Sequence, residues 1–67
     1  MTIRAALKLV RENGFKTQKQ NGTWWISKPY HSADMIREIN GVLVVGIWQQ
    51  SKGQRVFVDF EEFKENM

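Results

Sequence analysis

The dipeptide Asn21-Gly22, which lies between two runs of strand-forming residues, is the feature that most constrains the fold of this chain. Asn-Gly is the strongest short-range signal for a two-residue β-hairpin turn, because both residues accept the positive φ angles that the turn needs. The segment Lys16–Lys28 is therefore predicted to form a hairpin. The turn also sets the register, in which the opposed pairs are Gln20 with Thr23, Gln18 with Trp25, and Lys16 with Ser27.

Side chains alternate between the two faces of a strand, so this register gives the hairpin two different faces. The face predicted to point into the core carries Phe15, Thr17, Lys19, Trp24, Ile26 and Lys28. Trp25 then lies on the other face, among Lys16, Gln18 and Gln20. A polar, basic strand face with one indole suits a binding surface, for which nucleic acid is the first candidate ligand. The alternative is that a second helix or another subunit covers Trp25.

The size and composition of the chain predict one globular domain, residues 1–67. A chain of this length is near the lower limit for folding without staples, and the absence of Cys excludes disulfides and Cys-bound metals. A hydrophobic content of 42% with 25% charged residues is typical of a folded protein. No apolar run approaches the roughly 20 residues that span a bilayer, and the N-terminus lacks the apolar core of a signal peptide. A cytoplasmic location is therefore the expectation.

The formal net charge of +3 is unevenly distributed along the chain. Residues 1–28 carry six basic side chains and one acidic side chain, whereas residues 59–67 carry four acidic side chains and one basic one. The basic potential therefore belongs to the N-terminal part, which is predicted to attract a polyanion.

The N-terminal segment has the pattern of an amphipathic helix that Thr2 caps. Its apolar stripe consists of Ile3, Ala6, Leu7 and Val10, and a second, basic stripe consists of Arg4, Lys8 and Arg11. Asn13-Gly14 is predicted to end this helix.

The second half of the chain is predicted to contain a short helix, a second hairpin and a last helix. Ser32 caps the expected helix over residues 33–39, which Asn40-Gly41 closes. The segment Val42–Gln49 is apolar on both faces and suits a central strand covered on both sides, in which Gly46 marks a bulge or the close approach of another backbone. A loop and a returning strand over residues 55–58 follow. Asp59 caps the last helix, whose core residues are Phe60, Phe63 and Met67.

The predicted fold class is therefore α+β. We expect a small, mainly antiparallel sheet of two hairpins with two or three short helices on one face, in the order α-β-β-α-β-β-α.

Catalysis is not expected from these residues. His31 is the only histidine, and although Asp34 is near it in sequence, no nucleophile or substrate pocket can be named for it. One histidine without Cys does not make a zinc site, and neither a metal nor another cofactor is expected.

The sequence favours a small, non-enzymatic nucleic-acid-binding or regulatory protein, of a size and charge typical of phage and mobile-element accessory proteins. The predicted nucleic-acid-binding residues are Arg4, Lys8, Arg11, Lys16, Lys19, Trp25 and Lys28. DNA and RNA are both open as ligands. The alternative is a protein-interaction module, either an inhibitor that docks on the acidic surface of a host complex or a homodimer, in which Trp25 anchors the interface.

Overall fold

The computed structural model describes residues 1–67 as five strands between two terminal helices. Each strand pairs antiparallel with the next one along the chain, so the sheet order is β1-β2-β3-β4-β5. The bounds are α1 Ile3–Glu12, β1 Lys16–Gln20, β2 Thr23–Ser27, β3 Ala33–Ile39, β4 Val42–Gln49, β5 Gln54–Asp59 and α2 Phe60–Lys64. The α+β class and the antiparallel sheet are confirmed, and the element order differs from the prediction at one place.

Helix α1 begins and ends where the sequence predicts. The Thr2 hydroxyl accepts a hydrogen bond of 3.2 Å from the backbone N–H of Ala5. At the other end, the N–H of Phe15 donates to the carbonyl of Val10 at 3.0 Å, the bond that identifies a Schellman motif. Both Val10 and Phe15 are buried, so the stop also places an apolar contact in the core.

The first hairpin has the predicted register. Gln18 is opposite Trp25, and the turn residues Asn21 and Gly22 have φ angles of 51° and 76°, as a type I′ turn requires. Ile26 is buried and Trp24 packs against the core, so the predicted division of the hairpin into two faces is also confirmed.

The predicted helix over residues 33–39 is wrong, because this segment is strand β3. A register shift between Ala33 and Met35 breaks the strict alternation of the strand. Ala33 and Ile36 therefore both lie in the core, three residues apart, which imitates the spacing of a helix. Asn40-Gly41, predicted to end the helix, is instead the turn between β3 and β4, with φ angles of 51° and 80°.

Strand β4 is an interior strand, as predicted, but only one of its faces is covered. Val45 is fully buried, whereas Val42 on the other face is 48% exposed and Val44 is half-buried. The expectation that β4 is covered on both sides is therefore wrong. At Gly46 the close approach comes from the side chains of Met35 and Arg55 rather than from another backbone, and the bulge lies in β3.

The core lies between the sheet and the two helices, which pack on the same side. In α2, the carboxylate of Asp59 accepts a 2.8 Å hydrogen bond from the N–H of Glu61, while Phe60 and Phe63 are buried. Met67 packs against the core as predicted. Neither helix is long and apolar enough to cross a membrane.

Candidate nucleic-acid interface

The other side of the sheet, here called the open face, carries no helix. Its central row crosses four strands, in which Trp25 is opposite Met35, Met35 opposite Gly46, and Gly46 opposite Phe57. The open face is defined by the side chains that share the side of this row: Lys16, Gln18, Gln20, Thr23, Trp25, Ser27, Asp34, Met35, Arg37, Ile39, Val42, Val44, Trp48, Arg55, Phe57 and Asp59.

Large apolar side chains remain accessible on this face. Trp48 is 43% exposed and Phe57 is 40% exposed, and Trp25 is half-buried. A domain of this size normally covers its aromatic rings, since each of them has a large apolar area to bury. Three aromatic rings on one uncovered sheet face make it the candidate binding surface of this protein.

Arg55 crosses the middle of the open face and pairs with Asp34. Its Nε donates to Oδ1 of Asp34 at 3.0 Å, and its Nη2 donates to Oδ2 at 2.7 Å. Gly46 leaves the space that this side chain occupies, because a Cβ atom there would lie 2.8 Å from Cδ of Arg55. The hydrogen bonds that Arg55 donates to Asp34 raise the pKa of Arg55 above its ordinary value, although partial desolvation opposes the shift. The guanidinium is therefore a fixed positive charge at the centre of the open face.

Cationic groups alternate with the aromatic rings. The guanidinium carbon of Arg55 lies 5.7 Å from the ring centroid of Trp25 and 5.9 Å from that of Trp48. The guanidinium carbon of Arg37 lies 5.8 Å from the ring centroid of Phe57. All these distances are within the range of cation–π attraction, which orients the guanidinium groups along the rings.

The structure divides the binding residues predicted from the sequence between the two sides of the sheet. Trp25 and Lys16 lie on the open face. Arg4, Lys8 and Arg11 lie on α1, which packs against the opposite side. Trp25 is therefore not brought together with the basic stripe of α1.

Three of the predicted phosphate-binding side chains make contacts within the fold. Nε of Arg11 donates to the hydroxyl of Thr17 at 2.7 Å, and Nζ of Lys28 donates to the carbonyl of Asn13 at 2.8 Å. Lys19 and Arg11 both lie 5.9 Å from the ring centroid of Trp24. By contrast, Arg4 and Lys8 are exposed and make no side-chain hydrogen bond or ion pair in the chain.

The sequence-based prediction missed Asp34, Arg37, Trp48, Arg55 and Phe57. A signal for two of them was present, because Arg55 and Phe57 alternate with Val56 and Val58 as they do in a strand with one buried face. Finding Trp48 required knowledge that nothing covers the second face of β4.

His31 has a structural role in the loop before β3. Its Nδ1 accepts a 3.1 Å hydrogen bond from the N–H of Ala33. Its ring packs edge-on against Phe15 and Phe63, with centroid distances of 5.0 Å and 5.8 Å. No three side chains of His, Cys, Asp or Glu are grouped so that they could hold a metal ion.

Relatives offer no guide to the role of the open face. Comparison of the chain with protein-family models, with curated proteins and with solved structures gives no match.

Proposed function

We propose that this protein is a small, non-enzymatic nucleic-acid-binding protein and that the open face is its binding surface. The observation that carries the proposal is the alternation of three aromatic rings with arginines on the sheet face that no helix covers. Bases stack on aromatic rings and phosphates pair with Arg or Lys, so a nucleic acid uses both kinds of side chain together. The formal net charge of +3 favours the same ligand.

The side chains of the open face have separate roles in this proposal. Trp48 and Phe57, the two most exposed rings of the open face, stack on bases, and Trp25 adds a third ring beside them. Arg37 and Lys16 bind phosphates. The free basic groups of α1, on the other side of the sheet, contribute attraction over longer range.

Two double variants, one on each side of the sheet, test the surface; the open-face variant removes one positive charge and the α1 variant removes two. Fluorescence anisotropy with labelled DNA and RNA oligonucleotides measures affinity at about 50 mM and about 200 mM salt. Because stacking contributes about 1–3 kcal/mol per base, Trp48→Ala combined with Arg37→Gln is expected to weaken binding by about tenfold or more. Arg4→Gln combined with Lys8→Gln on α1 is the control, and its affinity is expected to fall much less.

The parent protein is also expected to lose affinity steeply between the two salt concentrations, because phosphate contacts release counterions. A larger loss in the α1 variant than in the open-face variant would move the binding surface to the basic stripe. Absence of binding to both DNA and RNA at the lower salt concentration would reject the proposed function.

A protein partner is the second candidate, and the apolar end of the open face favours it. Ile39 and Val42, opposite each other next to the Asn40-Gly41 turn, are 40% and 48% exposed. Such an end suits a protein interface, including one between two copies of the chain. Sedimentation equilibrium of the parent protein and of Val42→Asp tests for a homodimer. If this face joins two copies of the chain, the parent protein is a dimer and the variant is a monomer.

A further inference from the structure

The guanidinium of Arg55 has one edge in use and one edge free. Its Nε and Nη2 donate to Asp34, whereas its Nη1 donates to no group in the chain. A guanidinium has five N–H groups in a planar fork, so Nη1 and the second N–H of Nη2 form an unpaired edge. Asp34 thus orients Arg55, whose side chain is 31% exposed.

Two indole rings flank this guanidinium. The rings of Trp25 and Trp48 lie at almost the same distance from it, 5.7 Å and 5.9 Å. Trp25 is on β2 and Trp48 is on β4, and the guanidinium binds Asp34 on β3, the strand between them, so the order across the sheet is ring, cation, ring. A single nucleic-acid strand has the matching order of base, phosphate, base, and a free guanidinium edge matches the geometry of two phosphate oxygens.

Building on the proposed function, we infer that the open face binds a single strand rather than a duplex. Successive bases stack on Trp25 and Trp48, and the free edge of Arg55 holds the phosphate between them. In a duplex the base faces are already stacked on their neighbours, so the indole rings of a sheet surface have no base face to contact. Asp34 is a positioning residue, because it contacts Arg55 and not the strand.

Three ligands of equal length distinguish a single strand from other polyanions. They are a mixed-sequence single strand, the corresponding duplex, and a single strand in which abasic sites replace the central nucleotides. We expect the intact single strand to bind about tenfold tighter than the other two, because only this ligand offers unpaired base faces. The abasic strand keeps every phosphate and therefore isolates the contribution of stacking.

Variants then assign the roles of the rings and of the cation. Trp25→Ala and Trp48→Ala are each expected to lower the affinity for the intact strand by about 5- to 100-fold without changing the salt dependence. Arg55→Gln is expected to lower both the affinity and the slope of log K against log salt, the latter by about 0.7 for one lost phosphate contact. Lys8→Gln on α1 is the control for the loss of a positive charge on the far side of the sheet.

Circular dichroism at the titration temperature identifies variants that do not fold. If Arg55→Gln does not fold, Arg55→Lys is measured in its place, since lysine keeps the charge beside Asp34 but lacks the planar fork. Arg55→Lys is expected to keep the salt slope and to bind more weakly than the parent protein.

Equal affinity for intact and abasic strands, or tighter binding of the duplex, would overturn this inference and leave the proposed function standing. An unchanged salt slope in folded Arg55→Gln would remove Arg55 from the phosphate contact and overturn it as well. Failure of every ligand to bind at low salt would instead reject the proposed function itself.

Discussion

Gly46 is the residue on which the arrangement of the open face depends. It is in the middle of β4, where a glycine weakens a strand because it has no side chain to pack. Its missing side chain is what allows Arg55, on β5, to reach Asp34 on β3. The same glycine that weakens the strand therefore makes room for the ion pair at the centre of the candidate site.

Gly46→Ala is expected to lower the free energy of unfolding by about 1–3 kcal/mol through overpacking. The new Cβ atom would lie 2.7 Å from Cγ of Met35 and 2.8 Å from Cδ of Arg55, so both side chains must move. The φ angle of Gly46 is not positive, and the expected cost is therefore steric and not conformational. Urea denaturation of the parent protein and of the variant measures it.

The same substitution in an Arg55→Ala background is the control for this prediction. There one of the two close contacts is absent, so the cost of Gly46→Ala is expected to be smaller. Equal costs in both backgrounds would contradict the position of Arg55 across Gly46.

At the scale of elements, the hydrophobic patterns of β3 and β4 led to wrong predictions. Strand β3 is irregular, and β4 is apolar on both faces although only one of them is covered. The bulge in β3 brings Ala33 and Ile36 to one side at helical spacing. The turn that follows, Asn40-Gly41, is the same dipeptide as the turn of the first hairpin. The Asn-Gly hairpin rule, applied to Asn40-Gly41, would have predicted a strand before this turn instead of a helix. Local turn chemistry was the better guide because it does not depend on regular alternation.

Val45→Asp is expected to unfold the protein. Val45 is 0% exposed at the centre of the core, and an unpaired buried carboxylate costs several kcal/mol, which is comparable to the whole stability of a small domain. Val42→Asp, in the same strand but on the open face at 48% exposure, is the matched control and is expected to stay folded. Far-ultraviolet circular dichroism and thermal melting of both variants check this. A folded Val45→Asp would contradict the position of the core.

At the scale of the whole molecule, the sheet separates two kinds of charged surface. The open face has Arg37, Arg55 and Lys16 against Asp34 and, at the end of β5, Asp59. Both helices lie on the other side, including the acidic α2 and the basic stripe of α1. Charges on the helices can therefore act on a ligand at the open face only over distance.

Glu62→Lys combined with Glu65→Lys is expected to raise the affinity for nucleic acid modestly, and only at low salt. Such long-range attraction is screened with a Debye length of about 8 Å at physiological ionic strength. Fluorescence anisotropy at low and at physiological salt measures the change. Glu62→Gln combined with Glu65→Gln is expected to give about half of it, because each substitution by Gln changes the net charge by one unit instead of two. An increase that persists at physiological salt would place the ligand next to α2 instead.

Local features of this protein are readable from its sequence. The cap at Thr2, the Schellman motif at Asn13-Gly14 and the register of the first hairpin involve groups only a few residues apart. Their free energies depend on backbone geometry and hydrogen bonds within one turn of chain, so nothing distant changes the outcome. The two-sided hairpin, with Trp25 on its polar face, follows from the same local rule.

The tertiary structure decided which sheet face is covered and what lies on the other one. Only one face of β4 is buried, because both helices pack on that side of the sheet. The sequence of the strand does not show which of its faces the helices cover. The Arg55–Asp34 pair joins residues 21 positions apart and exists only because β3, β4 and β5 are neighbours in this order. Burial and long-range pairing are properties of the assembled sheet, and the open face with its rings and arginines is set by them.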